Sequence, residues 1–332
     1  MSSFNNLPRP FFVLAPMDDV TDTVFRQIVA ECAAPDLFFT EFTNVDGLQS
    51  PGRPKLLRKL KFVKSETSLI AHIWGLKPEN FYKTTREIAS GQLARELGLP
   101  RGCNFVGIDL NMGCPAKSEV KSGACSALIN NRQLASEIIK ATQKGANGKL
   151  PVSVKTRLGF SEVDMSWTEF LLKHDLAMLT MHGRTRKQMS KVPANWDLIG
   201  KVSKLRDTIS PKTLIVGNGD VTSRSQGLEL AKKYNLEGIM IARGIFQNPY
   251  IFCKDGSCKW EKCGVVSRIE LFKRHVELFD KTWQDGERNI QTLNKFCKIY
   301  ISGFDGAKEL REQLMAASDA SVLLALLEKA KR

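Results

Sequence analysis

Eight short apolar runs alternate with helix-like stretches over residues 1–245, several of these runs are apolar on both faces, and polar side chains collect at their carboxyl ends. Together these predict an α/β fold, a TIM (β/α)8 barrel, with a helical bundle domain after it. The runs are FFVLAPM (11–17), LFFTEF (37–42), SLIAHIWG (68–75), FVGIDLNM (105–112), PVSVKTRLG (151–159), AMLTMHGRT (177–185), TLIVGNGD (213–220) and GIMIARG (238–244). Strands apolar on both faces belong in a parallel sheet covered by helices. Helical patterns lie between them at 21–32, 78–97 and 132–145; Thr21 and Pro78 suit helix starts and Gly145 a helix stop. Eight such units fit a barrel, which takes about 250 residues. A doubly wound sheet gives similar alternation, so the strand ends decide. Met17, Glu41, His72, Asn111, Lys155, Arg157, His182, Asn218, Asp220 and Arg243 all fall there, on the face where barrels carry their active sites.

After Gly244 the pattern changes. Residues 246–264, with Pro249, Gly256 and three cysteines, read as a linker. Residues 265–332 read as helices at 266–283, 287–302, 307–317 and 320–331, broken at Gly286, Gly303 and Gly306. Their aliphatic stripes are read as bundle core.

Composition narrows the function. The 332 residues are 42% hydrophobic and can bury a sizeable core. No apolar run approaches the roughly 20 residues of a membrane helix. The start of the chain lacks a signal-peptide pattern, and eight cysteines in so long a chain suggest reduced thiols, so a cytoplasmic location is expected. The formal charge of +14 favours a polyanionic partner. The excess lies almost wholly before residue 255, and Ser50–Ser65 holds Arg53, Lys55, Arg58, Lys59, Lys61 and Lys64 with no acid. A solvated surface would show the same run, but with the total charge the reading turns towards RNA.

The strand ends suggest chemistry. Barrels often bind phosphate in the loops after strands seven and eight; here those loops read Asn218-Gly219-Asp220 and Ala242-Arg243-Gly244. Lys155 and Arg157 share one face of a strand, and a cation at a barrel mouth needs an anion or a group that becomes one. The alternative is a structural salt bridge to a carboxylate such as Asp109. His182 sits at a strand end inside MHGRT, where it could hydrogen-bond a ring edge. Cys114 follows the fourth strand in a loop framed by Gly113 and Pro115, a poor place to bury a small apolar side chain and a good one for aiming it inward.

These residues resemble the tRNA-dihydrouridine synthase family, bacterial type. The resemblance rests on APMDDVTDTVFR (15–26), IDLNMGCPAK (108–117) with SGACSALI (122–129), PVSVKTRLG (151–159), MHGRT (181–185), GNGD (217–220) and IARG (241–244), in order along the whole barrel. It implies FMN as prosthetic group, NADPH as electron donor, and a uridine of the tRNA D-loop as substrate, reduced to 5,6-dihydrouridine by a monomer. By the resemblance, Pro16, Met17, His72, Lys155, His182, Asn218, Gly219, Asp220, Ala242, Arg243 and Gly244 hold the cofactor. Asn111, Arg157, Lys117 and Arg184 address the substrate. Cys114 is the general acid. With hydride from flavin N5 arriving at uracil C6, negative charge develops at C5 and O4, so an acid over C5 must give a proton. A thiol with an ordinary pKa of about 8.5 is mostly protonated at neutral pH, and a depressed one would serve this role less well.

The sequence departs from the family pattern at His72, where glutamine is usual; an imidazole replaces only one of the amide's hydrogen bonds. Cys125 stands where small residues are usual and is read as buried. Cys253, Cys258 and Cys263 are separated by four residues each. No fourth ligand is evident in the nearby sequence, so they are read as packed or exposed thiols and no metal is expected. Two other readings compete. A small-molecule FMN oxidoreductase of dihydropyrimidine or dihydroorotate type needs neither the charge nor the helical tail. A non-catalytic tRNA-binding protein needs neither Cys114 nor Lys155.

Overall fold

A computed structural model describes residues 3–258, 260–284 and 286–331. Lys259 of the predicted linker, Asp285 and Arg332 of the predicted tail, and residues 1 and 2 lie outside the described residues. By compactness the chain divides into two units, Met1–Thr21 with Pro35–Ala242, and Asp22–Ala34 with Arg243–Arg332.

The first unit is the barrel. Its strands are β1 (Phe11–Leu14), β2 (Phe38–Phe39), β3 (Thr43–Asn44), β4 (Leu69–Trp74), β5 (Gly107–Met112), β6 (Val152–Arg157), β7 (Met178–His182), β8 (Leu214–Asn218) and β9 (Gly238–Ile241). They pair in parallel in the order β1-β9-β8-β7-β6-β5-β4-β2. A bridge between Val13 and Leu37 brings β1 beside the start of β2 and closes the ring. Each of the eight predicted runs contains a strand. The small β3 is additional: pairing with β4 lapses after Thr40 and resumes at Thr43. The interruption falls at Glu41, whose buried carboxylate accepts the Asp19 amide at 2.6 Å.

The barrel interior changes character along its axis. Phe4, Phe11, Val13, Leu37, Phe39, Ile70, Met178, Leu214, Val216 and Met240 form one apolar cluster. Phe4 sits so close to Gly107 that an added Cβ there would lie 2.6 Å from its ring. Further along the same strands the side chains become polar, with His72, Asp109, Asn111, Ser153, Lys155 and Thr180. Period-two alternation carries these groups to the strand ends, so one end of the barrel is a plug and the other a polar cup.

Two helix expectations shift in detail. The stretch 78–97 forms two helices, Pro78–Ala89 and Gln92–Glu96, because Gly91 takes a left-handed conformation with φ 70°. The helix Arg132–Ala146 runs past Gly145 and is ended by Asn147, left-handed at φ 47°. Gly145 serves packing instead: a Cβ there would sit 2.6 Å from the Tyr82 carbonyl oxygen.

The second unit is helical. Its elements include Thr23–Ala33, Val265–Thr282, Ala307–Met315 and Ala320–Lys329. The predicted helix at 287–302 is mostly a 3-10 run, Ile290–Phe296, followed by one α-turn at Cys297–Tyr300. Phe25 stacks among Phe246, His275 and Phe296, with ring centroids as near as 4.7 Å. Asp22 caps the helix Thr23–Ala33 at the Phe25 amide and accepts from Trp283 Nε1 at 3.0 Å and Arg288 Nη1 at 3.1 Å. A stretch that reads locally as the barrel's first helix is therefore bound to residues some 260 positions later, a tie that local periodicity cannot show. Among the described residues no helix is long and apolar enough to cross a membrane.

Candidate active site

The polar cup of the barrel gathers most of the predicted residues. The register sets Asn111 of β5 beside Lys155 of β6, and Arg157 beside His182, which in turn pairs with Asn218 of β8. Four neighbouring strands thus present two carboxamides, two cations and an imidazole at their carboxyl ends.

Cys114 is held from both sides of its turn. The Asn111 Oδ1 accepts the Gly113 amide at 3.1 Å and the Cys114 amide at 3.0 Å. Arg157 Nε donates to the Gly113 carbonyl at 2.7 Å, while Nη1 donates to Thr185 O and Met189 O at 3.1 and 3.0 Å. Gly113 is required by closeness: a Cβ would stand 3.1 Å from the Thr156 Cα. The turn therefore follows from its neighbours on β5 and β6. It leaves Asn111 Nδ2 and Arg157 Nη2 with no hydrogen bond to the described residues.

The thiol departs from the simple expectation. A hydrogen bond from Cys125 draws the Cys114 pKa down to about 7, against the opposing effect of burial. Cys125 is fully buried, and its own pKa is pushed well above the ordinary value, first by this bond and then by burial. Its backbone is left-handed at φ 54°, a conformation that costs a side-chain-bearing residue free energy. The next amide, of Ser126, donates to the Cys114 carbonyl at 3.3 Å. The sequence showed Cys125 as a buried small residue; nothing in it showed that it bonds the candidate acid.

Lys155 makes no hydrogen bond or ion pair with the described residues. The proposed salt-bridge partner, Asp109, is engaged elsewhere: one oxygen meets His72 Nδ1 at 2.7 Å and the other accepts from Ser153 Oγ at 2.5 Å. Burial first, and then Arg157, pull the Lys155 ammonium down to about 8, with Asp109 only partly offsetting them. Burial likewise lowers Arg157 to about 10. On β7, the Thr180 hydroxyl is buried with no partner, opposite Lys155 in register. The cup thus contains a cation and a hydroxyl that lack polar partners among the described residues, an arrangement that a polar or anionic ring edge would complete.

His72 keeps one ring nitrogen, Nε2, outside its Asp109 bond. His182 accepts from Arg184 Nη1 at 3.1 Å through Nε2, because a guanidinium can only donate. Arg184 is itself buried, donating to Val192 O at 2.5 Å and forming an ion pair with Asp220. Asp220 also accepts the Ala194 amide at 2.9 Å. These bonds make Arg184 and Asp220 braces of the cup. Asn218 Nδ2 donates to Met240 O at 2.9 Å. Gly219 lies at φ 138°, and an added Cβ would meet Ala194 at 2.5 Å.

Met17 uses its amide and carbonyl in a turn with Thr21, at 3.0 and 3.1 Å, so its thioether and the half-buried Pro16 are what β1 offers. Ala242 is half-buried just after β9. Arg243 and Gly244 begin the 3-10 turn of the second unit, with Arg243 exposed. Lys117 is exposed, three residues past Cys114. The basic stretch at 50–65 is partly neutralised, since Arg53 pairs with Glu87 and Glu96, and Lys59 with Asp18.

Fold and cup together define a TIM-barrel enzyme whose site sets a thiol beside a buried and a half-buried cation. Comparison with known proteins adds the family. Residues 13–332 match the sequence profile described as Dihydrouridine synthase (Dus). The chain is 46% identical to a probable tRNA-dihydrouridine synthase of Staphylococcus aureus (strain MRSA252), covering 98% of this chain and 94% of that one. It is 45% identical to probable tRNA-dihydrouridine synthase 2 of Bacillus subtilis (strain 168), covering 99% and 96%. The chain belongs to the dihydrouridine synthase family. Among solved structures, 6-hydroxypseudooxynicotine amine oxidase of Pseudomonas geniculata N1 matches with TM-score 0.51 at 13% identity, over 80% of this chain and 50% of that one. That likeness concerns the barrel fold; the chain spans about half the length of that protein.

Proposed function

We propose that this protein reduces D-loop uridine in tRNA to 5,6-dihydrouridine, with FMN as prosthetic group, NADPH as electron donor and Cys114 as proton donor. The substrate places it in the cytoplasm, where it acts as a monomer. The observation that carries the reading is Lys155: a half-buried cation with no ion-pair partner among the described residues, on the same cup as the Cys114 turn. The residues fit a flavin. Lys155 would hold the electron-rich edge of the ring, with the Thr180 hydroxyl of the neighbouring strand, which has no partner among the described residues, as a second contact. Asn218, His182 and Ala242 would hold the ribityl and phosphate end, with Gly219 and Asp220 shaping that loop. Pro16, the Met17 thioether and His72 Nε2 complete the cofactor contacts. FMN bound there would supply the hydride that uracil C6 receives.

The remaining chemistry falls to the chain. Cys114 gives its proton to C5. Asn111 Nδ2 and Arg157 Nη2 point donors at the uracil oxygens where charge develops. Arg157 also fixes the thiol through Gly113 O. Arg184 acts through His182 and Asp220, which it orients, and Lys117 meets the tRNA backbone from outside.

The test is reduction of an unmodified tRNA transcript by the FMN-loaded protein with NADPH. Cys114→Ala retains flavin and tRNA binding and loses turnover; near-wild-type turnover by that variant rejects the acid assignment. Equal efficiency on free uracil rejects the tRNA assignment and favours a small-molecule oxidoreductase.

A further inference from the structure

We infer that Cys32, Cys253, Cys258 and Cys263 form a tetrathiolate zinc site within the second unit. Three of these cysteines occupy one irregular segment. It begins at a turn in which the Cys253 amide donates to the Tyr250 carbonyl at 2.9 Å. Gly256 then reverses the chain at φ 67°, and the Cys258 amide returns to donate to Cys253 Sγ at 3.4 Å. An amide aimed at a sulfur stabilises thiolate over thiol and is the kind of outer contact that orients a metal ligand. The donor atoms of Cys253 and Cys258 lie within 4.8 Å of each other. Cys263 follows a 3-10 turn, its amide donating to Trp260 O at 3.0 Å.

The fourth thiol comes from far away in sequence. Cys32 lies in the last turn of the helix Thr23–Ala33. Its sulfur and the Tyr250 hydroxyl are hydrogen-bonded, and both lie within electrostatic range of Cys258 and Cys263. Asp255 is the competing fourth ligand, since its carboxylate is within the same 4.8 Å group. Its Oδ1 accepts from the Ser257 amide at 2.9 Å, the Ser257 hydroxyl at 2.6 Å and the Cys253 thiol at 3.1 Å. It braces the loop that presents the two sulfurs.

The segment needs such a centre. Between Cys253 and Cys263 the regular structure is one short 3-10 turn, and Trp260 is the one fully buried side chain described there. Arg268 ties the loop from below, donating to Cys263 O at 3.0 Å and Trp260 O at 3.1 Å. Four thiols are the donor set of structural zinc: the Cys253–Cys258 pair already lies within 4.8 Å, and binding draws in Cys263 and Cys32, the latter within electrostatic range of both Cys258 and Cys263, to join it. Binding releases their four protons and leaves a doubly negative centre, which Lys254, Lys262 and Arg268 flank in the sequence.

The experiment measures zinc in the untagged full-length protein by mass spectrometry, before and after incubation with zinc and gel filtration. One zinc per chain is expected. It falls to background in Cys32→Ser, Cys253→Ser, Cys258→Ser and Cys263→Ser, and is unchanged in Cys103→Ser and Asp255→Asn. Cobalt substitution of the wild-type protein guards against variants that simply unfold: the visible bands and charge-transfer intensity of tetrahedral four-thiolate cobalt are expected. Wild-type protein without zinc after both treatments overturns the site. Iron with labile sulfide in its place, a two-thiolate cobalt spectrum, or zinc retained by Cys32→Ser and lost by Asp255→Asn overturns it as assigned.

Discussion

Cys125→Ala isolates what the buried partner does to the candidate acid. Alanine accepts the same left-handed backbone at φ 54° about as well as cysteine does, so the change removes the thiol and little else. Losing one buried sulfur costs about 1 kcal/mol of stability, which leaves the fold intact. The hydrogen bond from Cys125 is the main cause that holds Cys114 at about 7. Without it, burial and the remaining contacts return the thiol towards its ordinary value of about 8.5. The sign follows from the role. A general acid works only while protonated, so wild-type activity falls as pH rises through about 7. In the variant the fall moves up by about 1.5 units, equivalent to about 2 kcal/mol. Near pH 8 about one-tenth of the wild-type thiol is protonated against about three-quarters of the variant's, so the variant is faster by about eightfold. Below about pH 6 the two coincide. The assay is single-turnover reduction of unmodified tRNA by pre-reduced enzyme, with dihydrouridine quantified across pH. An unchanged profile in Cys125→Ala refutes the coupling. Wild-type activity that rises through the same range refutes the acid role, because it identifies thiolate as the working form.

Other perturbations test the rest of the cup. Lys155→Met weakens flavin retention by about 10- to 100-fold, the value of a charged hydrogen bond, as read by flavin absorbance after gel filtration. The same substitution stabilises the flavin-free protein at neutral pH by at most about 3 kcal/mol, because the half-buried ammonium is held at about 8, below its unfolded value of about 10.4. That destabilisation is full below the folded value and disappears as pH rises towards the unfolded one, so urea midpoints of the two proteins converge in alkali. Arg157→Ala frees the Gly113 carbonyl and lowers turnover by more than about tenfold while flavin stays bound; unaltered turnover shows that the turn does not depend on it. Gly219→Ala, forced against Ala194 at positive φ, destabilises the barrel by about 2–4 kcal/mol in thermal unfolding.

The barrel and its cup were legible in the sequence because both follow from short-range periodicity. A run such as PVSVKTRLG is identified as a strand by its own residues, and period two alone sets Lys155 and Arg157 on one face. The partners of those residues were less legible, since a partner depends on register between strands. Asp109 is one residue type away from being the obvious mate of Lys155, yet the register puts it opposite His72 and Ser153, and both of its oxygens go there. That displacement leaves the lysine without an anion among the described residues, and it gives His72 an acceptor for Nδ1 while its other ring nitrogen stays outside that bond. Cys125 escaped for the same reason. It lies eleven positions beyond Cys114, across a helix and a turn, and only a left-handed residue brings its sulfur back. The helix at 23–33 shows the limit most clearly, because its sequence states only that it is amphipathic. Asp22, Phe25 and Cys32 find their partners at Trp283, Phe296 and Tyr250, so the beginning of the chain helps to build the unit at its end, and a cysteine cluster that looks one ligand short in the local sequence acquires its fourth thiol there.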